Sequence, residues 1–155
     1  MDYHIIYTTD AIREYIGDAG IIAFDFETAP DDAWRDEPKA ALDAHKAHIV
    51  GISLSVSECS AVYIPLAHKV GDNAADPASV MEYLREAVFE NPKVVKVAHN
   101  LSFEAMFLYA RGIVVCEPCY DTIAAAQLTL KSKFEFRNLS DSGLKMLSTS
   151  LFGAD

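Results

Sequence analysis

Residues 21–30 read IIAFDFETAP, a hydrophobic run with two carboxylates set two residues apart inside it. Strand side chains alternate between two faces. Ile22, Phe24 and Phe26 therefore share one face, and Ala23, Asp25 and Glu27 share the other. Neighbouring carboxylates on a half-buried strand repel each other and lose hydration. Either solvent reaches Asp25 and Glu27, or a cation sits between them.

The 155-residue chain is 51% hydrophobic and 23% charged, enough apolar material for one globular domain with a true core. No apolar run is long enough to cross a bilayer. The opening MDYHIIYTTD lacks the basic and apolar regions of a signal peptide, so a cytoplasmic protein with no membrane partner is expected. The three cysteines, Cys59, Cys116 and Cys119, suit reduced thiols better than a disulfide framework. Cys116 and Cys119 have C-x-x-C spacing, but no second pair completes the four ligands of a structural zinc. The net charge of −10 runs against a free-standing DNA-binding module, which displaces counterions from phosphates with a basic face. The acidic excess is concentrated in the first sixty residues, around APDDAWRDEP. If nucleic acid is the substrate, metal ions or another part of a larger protein must supply the positive charge.

No repeats, low-complexity tracts or internal linkers are present. TTDAIREYIG reads as a helix capped by Thr9 or Asp10 and ended by Gly17. The acidic segment from Thr28 to Ala47, with a short helix around Pro38 to His45, is long enough to be a functional loop. HIVGISLSV and SAVYIPLA, joined by SECS, predict a hairpin. DPASVMEYLREAVFEN predicts a helix with Asp76 as N-cap and Pro77 at the first turn. KVVKVAHN reads as a strand, SFEAMFLYARG as a helix closed by Gly112, and IVVCEP as a short strand. DTIAAAQLTL reads as a helix starting at Asp121, and RNLSDSGLKMLSTSLFG as helical in part. Three strands followed by alternating helices and strands predict an α/β fold whose mixed sheet is antiparallel at one side and parallel at the other.

AHNLSFEAMF, residues 98–107, places a helix start directly after a strand, with Glu104 in the first turn. Open α/β sheets put their sites at such strand ends. A first-turn acid also has an ordinary explanation in the helix dipole. Three acids converging at one sheet edge nevertheless make an oxygen-only donor set suited to Mg²⁺ or Mn²⁺.

On these residues the chain resembles the DEDD 3′–5′ exonucleases. Asp25-Phe26-Glu27-Thr28 matches their first motif, Asp-x-Glu-Thr, and the stretch from Asn100 to Glu104 lines up with the second, Asn-x-x-x-Asp. VGISLS, YIP and DT recur in the order and approximate spacing of the proofreading domain of bacterial or phage DNA polymerase I. The resemblance covers nearly the whole chain and implies a ribonuclease H-like mixed sheet flanked by helices. Two departures stand out. Glu104 is one methylene longer than the family's Asp. The third motif, Tyr-x-x-x-Asp, is missing, and Asp155 is not expected to replace it. The chain is therefore read as a single exonuclease-like domain, C-terminally truncated, whose partners include the rest of that domain and a polymerase domain.

The activity that the resemblance implies is two-metal hydrolysis of the 3′-terminal phosphodiester of single-stranded DNA, weak or absent in this fragment. Asp25 would bridge two cations about 3.5–4 Å apart. Glu27 would hold one, Glu104 the other, and Thr28 would contact the terminal nucleotide. Trp34, in a polar loop, is a candidate to stack on a base. Phe103 is either core or a substrate contact, and Asn100 orders the turn before its helix or touches substrate. Asp121 is read as a helix N-cap and His99 as structural. Two other readings stay open: a catalytically inactive nuclease-like binding or structural module, and a ribonuclease D-type enzyme acting on RNA. VGISLS with YIP argues against the latter.

Overall fold

The alternation in IIAFDFETAP is what the structure, a computed structural model describing residues 2–129 and 143–153, displays. Ile22, Phe24 and Phe26 are 0%, 4% and 5% exposed, whereas Asp25 and Glu27 are exposed. Their strand, β2 (Ile21–Pro30), lies inside a six-stranded sheet with β1 (Asp2–Ile5), β3 (Ala47–Ser57), β4 (Ser60–Pro65), β5 (Val95–Ala98) and β6 (Cys119–Asp121). The spatial order is β1-β4-β3-β2-β5-β6. Strands β2, β3 and β4 pair antiparallel, while β5 runs parallel to β2, β6 to β5, and β1 to β4. The mixed sheet is thus antiparallel in its middle and parallel on both flanks, with β2 as the strand where one regime meets the other.

Five helices accompany the sheet among the described residues: α1 (Thr9–Ile16), α2 (Pro77–Leu84), α3 (Leu101–Tyr109), α4 (Thr122–Thr129) and α5 (Leu144–Phe152). Helix α2 carries Asp76 as N-cap and Pro77 in its first turn, then continues as a π-helical turn over Arg85–Phe89. The core gathers β2's phenylalanines around Phe89, with ring centroids 5.2 and 6.0 Å away. Ile12, Ile52, Leu84, Phe107 and Leu108 complete its fully buried centre.

Two local expectations need correction, and one strand was not foreseen. The N-cap of α1 is Thr8, whose hydroxyl accepts from the Ala11 amide, because Thr9 already has helical geometry. IVVCEP forms no strand; the third parallel strand is Cys119–Asp121 instead. The amide of Cys116 bonds the Phe89 carbonyl, so this segment is anchored to the π-helical turn rather than to the sheet. Finally, Asp2–Ile5, unassigned from the sequence, is an exposed edge strand. In the long acidic loop, two 3₁₀ turns form at Asp32–Trp34 and Ala40–Leu42, the second inside the expected helical stretch. Residues 130–142 and Asp155 lie outside the described residues.

Candidate active site

Asp25 and Glu27 share a face because β2 stays regular through both: Asp25 pairs with Ser53 and Glu27 with Gly51. Immediately after Glu27 the register shifts, and Thr28 pairs with Ile49. That bulge bends the strand where the carboxylates stand. Thr28, still on β2, donates its hydroxyl to the Ala41 carbonyl of the acidic loop at 2.7 Å. The Thr28 side chain thus ties the loop to the strand end.

Small neighbours keep the floor beside Asp25 open. Ala23, Ser53, Ser55 and Ala61 line a cavity of about 210 Å³ that also touches Asp25, His99 and Leu144 of α5. Asp25 is exposed by area, yet the protein packed around its carboxyl takes away part of its hydration. That loss, reinforced by the Glu27 charge, pushes its pKa up, and His99 pulls the other way.

Glu104 arrives from the neighbouring crossover. β5 ends at Ala98, and Asn100 turns the chain in the left-handed region (φ 70°, ψ 53°), which asparagine tolerates. Asp121, at the end of β6, clamps that turn. Its two oxygens accept from the amides of Asn100 and Leu101, each at 3.0 Å, and one also caps Ile123 at 2.9 Å. Glu104 then falls in the first turn of α3, pointing inward and 2% exposed. Burial, with the charges of Asp25 and Asp121, raises its pKa to about 7. Its Oε2 is buried without a hydrogen-bond partner, as is Nε2 of His99. The other ring nitrogen of His99 bonds the Thr122 hydroxyl at 2.8 Å.

The structure therefore brings Asp25, Glu27 and Glu104 into mutual electrostatic contact through Asp25. None of the ion pairs among the described residues involves any of the three. An uncompensated carboxylate pair with an orphaned buried oxygen is the donor chemistry a hard divalent cation satisfies. In number the fit is incomplete. Among the described residues no three His, Cys, Asp or Glu side chains stand close enough together to hold a metal ion.

The remaining candidates separate. Asn100 is exposed and its side-chain oxygen accepts from the Ser102 hydroxyl, a turn-ordering role. Phe103 packs on Phe107 with centroids 4.9 Å apart and leans on the core. Trp34 is 41% exposed, and the Lys46 ammonium, paired with Glu37, lies 4.9 Å from its ring centre. Indole and ammonium together make a cation–π unit on the acidic loop.

One group near Glu27 was not singled out from sequence. Tyr63 of β4 leans across Gly51, and its hydroxyl meets Nε2 of His68 at 2.7 Å. The Glu27 charge, after burial, raises the Tyr63 pKa. YIPLAH contains both residues, but nothing in its alternation says that a tyrosine will cross a neighbouring strand over a glycine.

A family profile described as 3′–5′ exonuclease matches residues 3–153. The chain belongs to the 3′–5′ exonuclease family. DNA polymerase I of Pseudomonas aeruginosa is 28% identical over 157 residues, covering 97% of this chain and 16% of that protein. The chain thus spans less than a fifth of that relative's length. Among solved structures, Brucella melitensis NrnC with bound Mg²⁺ superposes with a TM-score of 0.64 at 17% identity, covering 99% of this chain and 62% of NrnC. RNase D of Escherichia coli, an exoribonuclease involved in structured RNA processing, gives 0.62 at 21%, covering 99% of this chain and 34% of that one. These likenesses bear out the ribonuclease H-like mixed sheet, and the first bears out the DNA polymerase I resemblance.

Proposed function

We propose that this exonuclease module acts on the 3′ end of single-stranded DNA, removing terminal nucleotides in the manner of a polymerase proofreading domain. The observation that carries the reading is the orphaned, buried Oε2 of Glu104, within electrostatic reach of Asp25 in a member of the 3′–5′ exonuclease family. The family resemblance assigns Asp25, Glu27 and Glu104 to a divalent cation, although the three do not stand close enough together to hold one as they are. Bound there, it would supply Lewis-acid stabilisation of a phosphoryl oxygen and a more acidic water. The chain's own part is positional. β2 presents Asp25 and Glu27 to the open face, and the Asp121 clamp fixes where α3 places Glu104. Thr28 acts on the terminal nucleotide through the loop it anchors. Trp34 offers that loop an aromatic surface for a base.

A second reading, an inactive nuclease-like binding module, is favoured by the failure of three ligands to gather among the described residues. Single-turnover digestion of a 3′-labelled single strand in Mn²⁺ separates the two. Stepwise loss of 3′ nucleotides that Asp25→Ala abolishes supports the enzyme. Strand binding without cleavage supports the module. Running an RNA strand of the same sequence beside the DNA strand tests the ribonuclease D-type alternative. Faster loss from RNA overturns the DNA assignment.

A further inference from the structure

We infer that Tyr63, held by His68, is a nucleotide-binding residue of this site, donating a hydrogen bond to an oxygen of the 3′-terminal nucleotide bound at Glu27. The inference rests on the nuclease reading above and adds to it a residue from a third strand, placed by its own contacts. Gly51 is the register partner of Glu27 across the β2–β3 pair. A Cβ built on Gly51 would lie 1.8 Å from the Tyr63 hydroxyl oxygen and 2.2 Å from the ring carbon bearing it. The phenol oxygen therefore occupies the place of a cross-strand neighbour to Glu27, and such neighbours have Cβ atoms about 4.5–5.5 Å apart. A ligand oxygen held between the Glu27 carboxylate and the phenol is within reach of both.

The phenol is also built to stay there. Tyr63 pairs with Ser53 on β3 and crosses diagonally to Gly51, a direction only a residue without a side chain leaves open. His68 grips the hydroxyl at 2.7 Å, with the two rings edge-on and their centroids 5.7 Å apart. The His68 backbone is fixed in turn by Asn73. The Asn73 side-chain oxygen accepts from the His68 amide at 2.7 Å, and its NH₂ donates to the His68 carbonyl at 2.9 Å. When His68 Nε2 carries the hydrogen and donates to the phenol oxygen, the Tyr63 O–H is left to donate elsewhere. Nothing else among the described residues takes it. A fixed donor beside a carboxylate pair on an acidic chain suits a nucleotide, whose phosphate and sugar oxygens are acceptors.

The experiment is calorimetric titration of the chain with thymidine 5′-monophosphate in saturating Mn²⁺, with folding of each variant checked by thermal melting. Tyr63→Phe keeps the ring and removes the donor, and should weaken binding about tenfold, the worth of one such bond. His68→Gln leaves the phenol in place but unheld, and should weaken binding by a smaller factor. Asp25→Ala should abolish binding. Loss in Asp25→Ala with unchanged affinity in Tyr63→Phe overturns this inference and leaves the nuclease reading standing. Binding that survives Asp25→Ala but falls with Tyr63→Phe supports the Tyr63 contact and removes the carboxylate reading. No binding by the unmutated chain at millimolar nucleotide overturns both.

Discussion

Glu104 concentrates the chemistry of the site in one buried carboxyl. Folding raises its pKa from 4.5 to about 7, so the folded state holds its proton where the unfolded chain has released it. Stability from this group is fully present below pH 4.5 and falls as pH rises toward about 7, where the buried carboxyl ionises. The expected loss is on the order of 3 kcal/mol for the cation-free chain. Urea unfolding between pH 4 and pH 8 should show this slope, and Glu104→Gln should flatten it. Mn²⁺ should restore stability at pH 8 in the unmutated chain and not in the variant. A slope unchanged by Glu104→Gln would place the titrating group elsewhere. Gly51 makes a second residue-level test. Gly51→Ala sets a methyl 1.8 Å from the Tyr63 hydroxyl, so the ring must swing off β3 and release His68. Overpacking of this kind costs about 1–3 kcal/mol, read as a lower urea midpoint at constant slope.

Asp121 shows what a strand end can do for the helix that precedes it in the sequence. It caps its own helix α4 through Ile123, as its position before Thr122 implies, and it also closes the turn that launches α3. Asp121→Ala should cost about 1–2 kcal/mol, as for loss of a strong N-cap, and should reduce Mn²⁺ affinity because Glu104 loses its fixed approach. A variant destabilised with Mn²⁺ affinity intact would confine Asp121 to capping. The first role was legible from sequence and the second was not, since the clamp joins residues 20 and 21 positions apart. The same division runs through the elements. β2, β3 and α2 announced themselves because each buries a recurring apolar face, whereas α3 has no such period and was legible from its place between a strand and Gly112. β1 is exposed along its whole length, and β6 is a three-residue strand. Backbone pairing makes both, so their side chains carry no period to read. IVVCEP carries apolar character without a neighbouring strand to pair with. In the site, Asp25, Glu27 and Glu104 were legible as charges in apolar contexts. Tyr63 was hidden because its role depends on an absent side chain on the next strand.

For the whole molecule the decisive quantity is charge. With 13 basic against 23 acidic residues, the chain carries −10 and meets a polyanion as a polyanion. A basic DNA binder loses affinity steeply as salt rises, because each neutralised phosphate releases a counterion. Here the long-range term is repulsive, and monovalent salt screens it over a Debye length of about 10 Å at 0.1 M. A cation shared between the carboxylates and phosphate would supply a short-range attraction far less sensitive to that screening. Affinity for a single strand in Mn²⁺ should therefore stay level or rise between about 50 and 200 mM NaCl. Fluorescence anisotropy of a labelled oligonucleotide, at fixed Mn²⁺, reads the slope directly. The acidic loop is the main local source of the repulsion, with Asp31, Asp32, Asp36 and Glu37 following directly on the strand that carries Asp25 and Glu27. Asp36→Asn combined with Glu37→Gln should thus strengthen strand binding at low salt and shrink the gain from added salt. A steep fall in affinity with salt in the unmutated chain would mean that a basic track carries the strand, and that the carboxylate site is not where the strand is held.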